Sequence, residues 1–171
     1  MGTQLITRIT ELRAVELLSR APLFKTLTSE DKRRFASTPG LFRFAKAGNS
    51  FIEQGEGDYS IYVVMTGRAR ILKDGVHVAD VEAGQFVGEV AFILREPRTA
   101  TVLAATDMIL LKIDAENFVK LPIRAREIMK DKIIEGLEHR IAHMNDEIKR
   151  YRTEAEAQSD EPQDEDGKPA A

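Results

Sequence analysis

The apolar residues change their spacing along the chain, and these changes divide it into three regions. Over residues 4–19 they recur at helical intervals, which predicts an amphipathic helix. Between about Leu41 and Ile113 they form short apolar or alternating runs separated by glycines, a pattern typical of strands joined by tight turns. From Pro122 to about Ala157 they lie alternately three and four residues apart, which predicts one long helix. The pattern therefore indicates a mainly β middle region with helices at both ends.

Two short motifs add detail to this outline. Thr28, with Asp31 three residues later, is typical of the capped start of a helix, so we expect a second short helix there. Asp74-Gly75 lies between two apolar runs, and such a dipeptide is a strong signal for a two-residue hairpin turn. Many short strands with glycine-marked turns indicate a β-sandwich or a jelly roll.

The predicted C-terminal helix carries an apolar stripe at heptad spacing. Its members are Ile134, Leu137, Ile141, Met144, Ile148 and Tyr151. A single helix cannot bury such a stripe against itself, so it either folds back onto the β-rich region or pairs with the same helix of a second chain. Gly136 lies inside this helix and marks a point where it can flex.

Composition and charge narrow the functional classes. The 171 residues carry a net charge of −3, and residues 160–171 alone hold five acidic residues and one lysine, which leaves about +1 for the rest. A nearly neutral body lacks the basic stripe that nucleic-acid binding requires. The sequence has no cysteine, no signal peptide and no apolar segment long enough to cross a membrane, so we expect a cytoplasmic protein. We expect the polar residues 158–171 to be disordered.

The strongest functional signal is the segment at residues 86–102, which reads FVGEVAFILREPRTATV. Gly88-Glu89 stands at the start of a short apolar helix, and Arg98 follows shortly before the next predicted strand. Backbone amides at a helix start attract an anion, and a guanidinium binds two phosphate oxygens as a planar fork. An ionised Glu89 can accept hydrogen bonds from sugar hydroxyls. The segment therefore suits a ligand that is both a sugar and a phosphate.

This segment resembles the phosphate-binding cassette of cyclic nucleotide-binding domains. The matching positions are Phe86, Gly88, Glu89, Ala91, Pro97, Arg98, Thr99, Ala100, Thr101 and Val102. The extra Val87 between Phe86 and Gly88 is similar to a variant of the bacterial catabolite activator family, and the resemblance extends over roughly residues 20–125. It implies an α+β, mainly β fold: an eight-stranded double-stranded β-helix, or jelly roll, that is interrupted by the cassette and has N-terminal helices and a long C-terminal helix.

The resemblance also implies which residues bind the ligand. They are Val87, Gly88, Glu89, Val90, Ala91, Arg98, Thr99 and Ala100. Arg98 and the amide of Ala100 would bind the phosphate, and Glu89 would bind the ribose 2′-hydroxyl. Thr99 permits cGMP without requiring it, so the expected ligand is cAMP or cGMP. An apolar residue of the long helix would cover the base, and the candidates are Ile128, Met129 and Ile133.

These observations lead to a division of the chain and a functional hypothesis. We divide it into an N-terminal amphipathic helix (1–20), a cyclic nucleotide-binding β-roll (21–121), a long dimerisation helix (122–157) and the acidic tail (158–171). The hypothesis is a stand-alone sensor, a homodimer through its C-terminal helix as the catabolite activator family implies, which signals its occupancy through that helix to a protein effector. The alternative is a ligand-independent dimerisation or scaffold protein with a degenerate pocket.

Catalytic, metal-dependent and DNA-binding functions are disfavoured. The sequence contains no convincing nucleophile–base–acid constellation, so we expect no enzymatic activity. His139 and His143 lie four apart on the predicted helix, but Arg140 stands where a zinc-protease helix has a glutamate. We therefore expect solvated histidines and no metal. A winged helix-turn-helix would need tens of residues after the long helix, where only the acidic tail follows.

Overall fold

The strands predicted from the glycine-rich middle of the chain form two antiparallel sheets. The computed structural model describes residues 2–6 and 9–159. Within them lie nine strands: β1 Gln4–Leu5, β2 Phe42–Ala45, β3 Ser50–Ile52, β4 Ile61–Thr66, β5 Arg68–Lys73, β6 Val76–Glu82, β7 Phe86–Val87, β8 Thr101–Ala104 and β9 Met108–Ile113. The strand order is β1-β2-β9-β4-β7 in one sheet and β3-β8-β5-β6 in the other. Strands β2 to β9 are the eight strands expected of the jelly roll, and the predicted fold class is confirmed.

Within the described residues, five α-helices accompany this β-roll: two precede it in the sequence, one interrupts it between β7 and β8, and two follow it. They are α1 Glu11–Arg20, α2 Ser29–Ala36, α3 Glu89–Leu94, α4 Ala115–Lys120 and α5 Ile123–Ser159, with one turn of 3₁₀ helix at Pro22–Phe24. The Thr28 hydroxyl accepts a hydrogen bond from the amide of Asp31 at 3.1 Å, so the predicted cap of α2 is confirmed. The chain divides into two compact units, residues 1–133 and residues 134–171.

The start of the chain differs from the prediction of a helix over residues 4–19. Helix α1 begins only at Glu11, because Thr10 is extended and its hydroxyl accepts a hydrogen bond from the amide of Arg13 at 3.2 Å. Gln4–Leu5 instead forms β1, which pairs antiparallel with Phe44 and Arg43 of β2. The helical prediction for the first residues was wrong because backbone bonding to the edge of the sheet overrides their weak periodicity.

The hairpin between β5 and β6 forms as predicted. Asp74 has φ of +52° and Gly75 has φ of +79°, so both central residues lie in the left-handed region. Two consecutive positive φ values define the turn whose twist matches that of paired strands, and Asp-Gly is a favoured sequence for it. The side-chain amide of Gln54 also donates to the carboxylate of Asp74 at 2.8 Å, which joins this turn to the loop after β3.

Strands β4 and β9 of the five-stranded sheet are largely buried on both faces. One face contributes Tyr62, Val64 and Leu110 to a core inside the roll, together with residues of the second sheet such as Val102. Because side chains alternate along a strand, Ile61 and Val63 point to the opposite face, and they are fully buried as well. Strands β4 and β9 are thus in the core of the fold, and both carry residues of the site described below.

Helix α5 spans the two compact units, and its burial changes between them. Leu121 and, within α5, Ala125, Met129 and Ile133 are buried at every fourth position. From Ile134 onward the large apolar side chains are exposed except Leu137, which is half-buried; the exposed ones are Ile134, Ile141, Met144, Ile148 and Tyr151. The predicted long helix is confirmed, and its heptad stripe is not buried within this chain.

The described residues do not test two predictions, the disorder of the acidic tail and the domain boundaries. The acidic tail lies almost entirely beyond the described residues, which end at residue 159, and the predicted domain boundaries stay predictions. No helix in the described part of the chain combines the length and the apolar character needed to cross a membrane.

Candidate functional site

Gly88 connects strand β7 to helix α3 in a conformation that suits glycine. Its φ is +88°, in the left-handed region, and it immediately precedes the first residue of α3, Glu89. A Cβ atom at this position would lie 2.4 Å from Nη1 of Arg98 and 3.1 Å from the carbonyl oxygen of Ser60. The residue must therefore be a glycine for both the turn and the arginine to be placed as they are.

The backbone of Arg98 is held by the turn that follows β3. The amide of Gly55 donates to the carbonyl of Arg98 at 2.8 Å, and the amide of Arg98 donates to the carbonyl of Glu56 at 2.9 Å. These reciprocal bonds fix the loop between α3 and β8 at the point where the arginine side chain leaves it. Gly55 and Glu56 thus position Arg98 through their backbone groups.

The guanidinium of Arg98 is buried, with only 3% of the residue exposed. Its Nη2 donates to the carbonyl of Ser60 at 2.7 Å, and its Nη1 donates to the carbonyl of Gly88 at 3.2 Å. Nε is also buried and has no hydrogen-bond acceptor among the described residues. Burying a charge is costly unless anions accompany it, and the unused Nε leaves one donor that a negatively charged ligand group could satisfy.

Asp58 is a carboxylate that contacts Arg98, with Oδ2 at 3.4 Å from Nη2. Its Oδ1 accepts hydrogen bonds from the amide and the hydroxyl of Ser60 at 3.0 and 2.8 Å, and its Oδ2 lies 3.1 Å from Nζ of Lys112. Burial would raise the pKa of Asp58, but the bonds from Ser60 and Lys112 outweigh that effect and lower the pKa to about 2. Asp58 is therefore ionised at neutral pH.

The ring of Tyr62 lies against both cations of this group. The Cζ atom of Arg98 is 5.9 Å from the ring centroid, and Nζ of Lys112 is 5.7 Å from it. Tyr62 and Lys112 face each other in the register of β4 and β9, which explains their proximity. Burial, together with the nearby Asp58 carboxylate, raises the pKa of Tyr62, so the phenol stays neutral.

The residues predicted to bind ligand are distributed around Gly88 and Arg98, the two that the structure brings into direct contact. Val87 and Ala91 are buried, whereas Glu89, Val90 and Ala100 are half-buried and Thr99 is exposed. Of the three candidates for covering a base, Met129 and Ile133 are buried and Ile128 is half-buried. Their assignment as ligand-binding residues remains a prediction.

Sequence reasoning missed Asp58, Ser60, Tyr62 and Lys112. Asp58 and Ser60 lie in the short polar run DYS that precedes the apolar strand β4, and an acidic residue at that point is a weak signal. Ser60 and Arg98 are 38 residues apart, so only the sheet topology brings them together. Lys112 gives no signal by itself, because one lysine within an apolar strand does not indicate a function.

Comparison with known proteins finds a match to one family in the β-rich part of the chain. Residues 42–124 match the family model described as the cyclic nucleotide-binding domain. Among solved structures, the catabolite activator protein of Thermus thermophilus superposes with a TM-score of 0.63 at 23% identity, over 77% of this chain and 63% of that one. At this identity the likeness shows the fold alone.

Curated relatives extend the comparison to regulatory proteins. The chain is 27% identical over 115 residues to a cAMP-dependent protein kinase regulatory subunit of Aspergillus niger. The aligned region covers 66% of this chain and 28% of the relative. It is 33% identical over 119 residues to a cyclic nucleotide-gated potassium channel of Rhizobium etli, and that alignment covers 68% of this chain and 32% of the relative. The chain thus spans less than a third of the length of either relative.

Proposed function

We propose that this chain, whose residues 42–124 belong to the cyclic nucleotide-binding domain family, binds cAMP or cGMP with Arg98 as the residue that holds the cyclic phosphate. The observation that carries the proposal is the buried guanidinium, which lies beside Gly88 at the start of α3. A cyclic phosphate is a compact anion with acceptor oxygens, and charge-assisted bonds to a desolvated arginine are the strong kind. The function is that of a binding module, and no catalytic step is proposed.

The remaining predicted residues take complementary roles in this proposal. Gly88 lets ligand and Arg98 approach the backbone closely, since any side chain there would occupy the space beside Nη1. Glu89, at the start of α3, accepts from the ribose 2′-hydroxyl. The half-buried Val90 and Ala100 and the buried Val87 and Ala91 line the site. The exposed Thr99 is free to meet the base edge, which leaves both nucleotides as ligands.

Helix α5 is the element through which we propose that occupancy is transmitted. Its first residues belong to the compact unit that holds Arg98, and it continues without interruption into the part that carries the exposed stripe. A ligand that contacts the buried face at Met129 or Ile133 would bind one arrangement of this helix more tightly than another. Differential affinity of this kind is the physical requirement for a switch.

The exposed stripe of α5 is proposed to pair with the same helix of a second chain. Ile134, Ile141, Met144 and Ile148 are each about half exposed, at a heptad spacing that suits a two-stranded coiled coil. Burial of apolar surface stabilises by roughly 25 cal/mol per Å², so pairing of four such side chains is favourable. A homodimer of this kind would present the two binding sites to a protein effector.

The proposal is tested by equilibrium titration of the purified chain with cAMP and with cGMP. We expect saturable binding of at least one nucleotide at micromolar or lower concentration. Arg98→Ala should weaken binding by about thirtyfold or more, because a buried anion would lose its charge-assisted bonds. Arg70→Ala, at an exposed position of β5, is the matched control and should bind like the wild type.

The same titration distinguishes the sensor proposal from the scaffold alternative, which the exposed stripe of α5 favours. A scaffold would form the dimer and yet bind neither nucleotide, and Arg98→Ala would leave its properties unchanged apart from stability. Absence of binding by the wild-type chain would therefore end the sensor proposal and leave the dimerisation helix as the functional element.

A further inference from the structure

Asp58 is shared between two cations on different elements. Its Oδ2 lies 3.1 Å from Nζ of Lys112 on β9 and 3.4 Å from Nη2 of Arg98 in the cassette loop. The Arg98 side chain is 2% exposed, whereas those of Asp58 and Lys112 are 32% and 29% exposed. The three charges therefore interact in a partly desolvated region, where Coulomb interactions are stronger than at an open surface.

The charge balance of this group bears on anion binding. Arg98 and Asp58 alone would form a neutral pair, and Asp58 would compete with any ligand anion for the same guanidinium. Lys112 offers Asp58 a second cation at the shorter of the two distances. With Lys112 included, the three side chains carry a net charge of +1, which matches the single negative charge of a cyclic phosphodiester.

The position of Lys112 is fixed by the fold. It lies directly opposite Tyr62 in the antiparallel register of β4 and β9, and its Nζ lies over the same ring as the guanidinium of Arg98. Asp58 is fixed from its other side by two hydrogen bonds from Ser60 to Oδ1, so only Oδ2 faces the two cations. This geometry lets Lys112 retain Asp58 while the guanidinium turns to another anion.

We propose that Lys112 is a positioning residue of the phosphate site, which neutralises Asp58 and so keeps the charge of Arg98 available to the ligand. The inference rests on the proposed function and deepens it. Lys112 acts through Asp58 and need not touch the nucleotide. Its effect is therefore conditional on the carboxylate, and a charge-balance experiment can isolate it.

The experiment compares cAMP and cGMP binding by Lys112→Met, Asp58→Asn and the double variant. Lys112→Met leaves Asp58 to compete for Arg98, so affinity should fall about tenfold for any nucleotide that the wild type binds. Asp58→Asn removes the competitor and retains an oxygen that can accept from Ser60, so affinity should be maintained or increased. The double variant restores the net charge of +1 and should bind within about threefold of the wild type.

Two further variants control for structural damage. Lys120→Met removes a lysine that is paired with Glu116 at 2.6 Å on the exposed face of α4, and it should leave affinity unchanged. Lys112→Arg keeps the charge beside Asp58 and should bind within about threefold of the wild type. A merely structural role for Lys112 would not be reversed by a second substitution at Asp58, so the rescue distinguishes the two roles.

The outcomes separate this inference from the proposed function. Equal affinity of Lys112→Met and the wild type overturns the inference and leaves the nucleotide site in place. A double variant as weak as Lys112→Met overturns it too, because the loss would then not pass through Asp58. If the wild type binds neither nucleotide, the proposed function and this inference fail together.

Discussion

Adding a single methyl group at Gly88 should separate the placement of Arg98 from backbone strain. In Gly88→Ala the new Cβ would lie 2.4 Å from Nη1 and 3.3 Å from Cζ of Arg98, and 3.1 Å from the carbonyl oxygen of Ser60. The guanidinium is the end of a flexible side chain, so it is the group that will move. Its displacement would break the bonds to the carbonyls of Gly88 and Ser60.

The magnitude follows from two separate contributions. A left-handed φ of +88° costs alanine about 1–2 kcal/mol. Two hydrogen bonds from a charged donor contribute about 1.5–3 kcal/mol each, part of which the moved arginine recovers from water. We therefore expect Gly88→Ala to lower the free energy of unfolding by about 3–5 kcal/mol and to weaken nucleotide binding about a hundredfold or more.

Gly48 provides the matched control. Its φ is +86°, and a Cβ there would meet nothing within 4 Å in the described structure. Gly48→Ala should therefore lose only the backbone contribution of about 1–2 kcal/mol and bind like the wild type. Urea denaturation gives the stabilities and calorimetric titration gives the affinities. If the two variants lost equal stability and bound nucleotide equally well, the assigned role of Gly88 in placing Arg98 would be refuted.

Three other predictions concern the stripe, acid stability and the base. In sedimentation experiments Ile141→Glu should give a monomer, because it places a charge in the proposed helix pair, whereas Ala142→Glu should remain a dimer; equal behaviour would contradict the pairing. The Asp58 carboxylate, with its pKa lowered to about 2, contributes stability above about pH 4 that is lost as the pH falls towards 2. Asp58→Asn should therefore reduce the acid-induced loss in urea denaturation by about 1–2 kcal/mol, and an unchanged pH profile would contradict this. Thr99→Ala should weaken cGMP binding by up to about tenfold and leave cAMP binding unchanged in parallel titrations, since only the guanine amine would bond to its hydroxyl; an equal effect on both would contradict that role.

The sequence was sufficient to predict the elements that depend only on interactions between neighbouring residues. The cap of α2 at Thr28 and the Asp74-Gly75 hairpin depend on residues within a few positions of one another, and both form as predicted. Strand β1 could not be predicted in this way. Its two residues are extended only because β2 provides hydrogen-bond partners, and that pairing spans 40 residues.

The candidate site divides along the same line. Gly88 and Arg98 belong to one contiguous motif, so the sequence alone brings them to attention. Asp58 lies just before β4, and Lys112 lies in β9. The two come together because β4 pairs with β9, although they are far apart in the sequence. The register between such distant strands is set by the packing of the whole core, so it cannot be predicted from single residues.

A crystal structure of the chain with the nucleotide that binds more tightly will show whether the buried guanidinium of Arg98 holds the cyclic phosphate. We expect a phosphate oxygen within about 3.2 Å of a nitrogen of Arg98, the normal range for a charge-assisted hydrogen bond. A nucleotide bound elsewhere, with Arg98 still bonded only to the carbonyls of Gly88 and Ser60, would contradict this expectation.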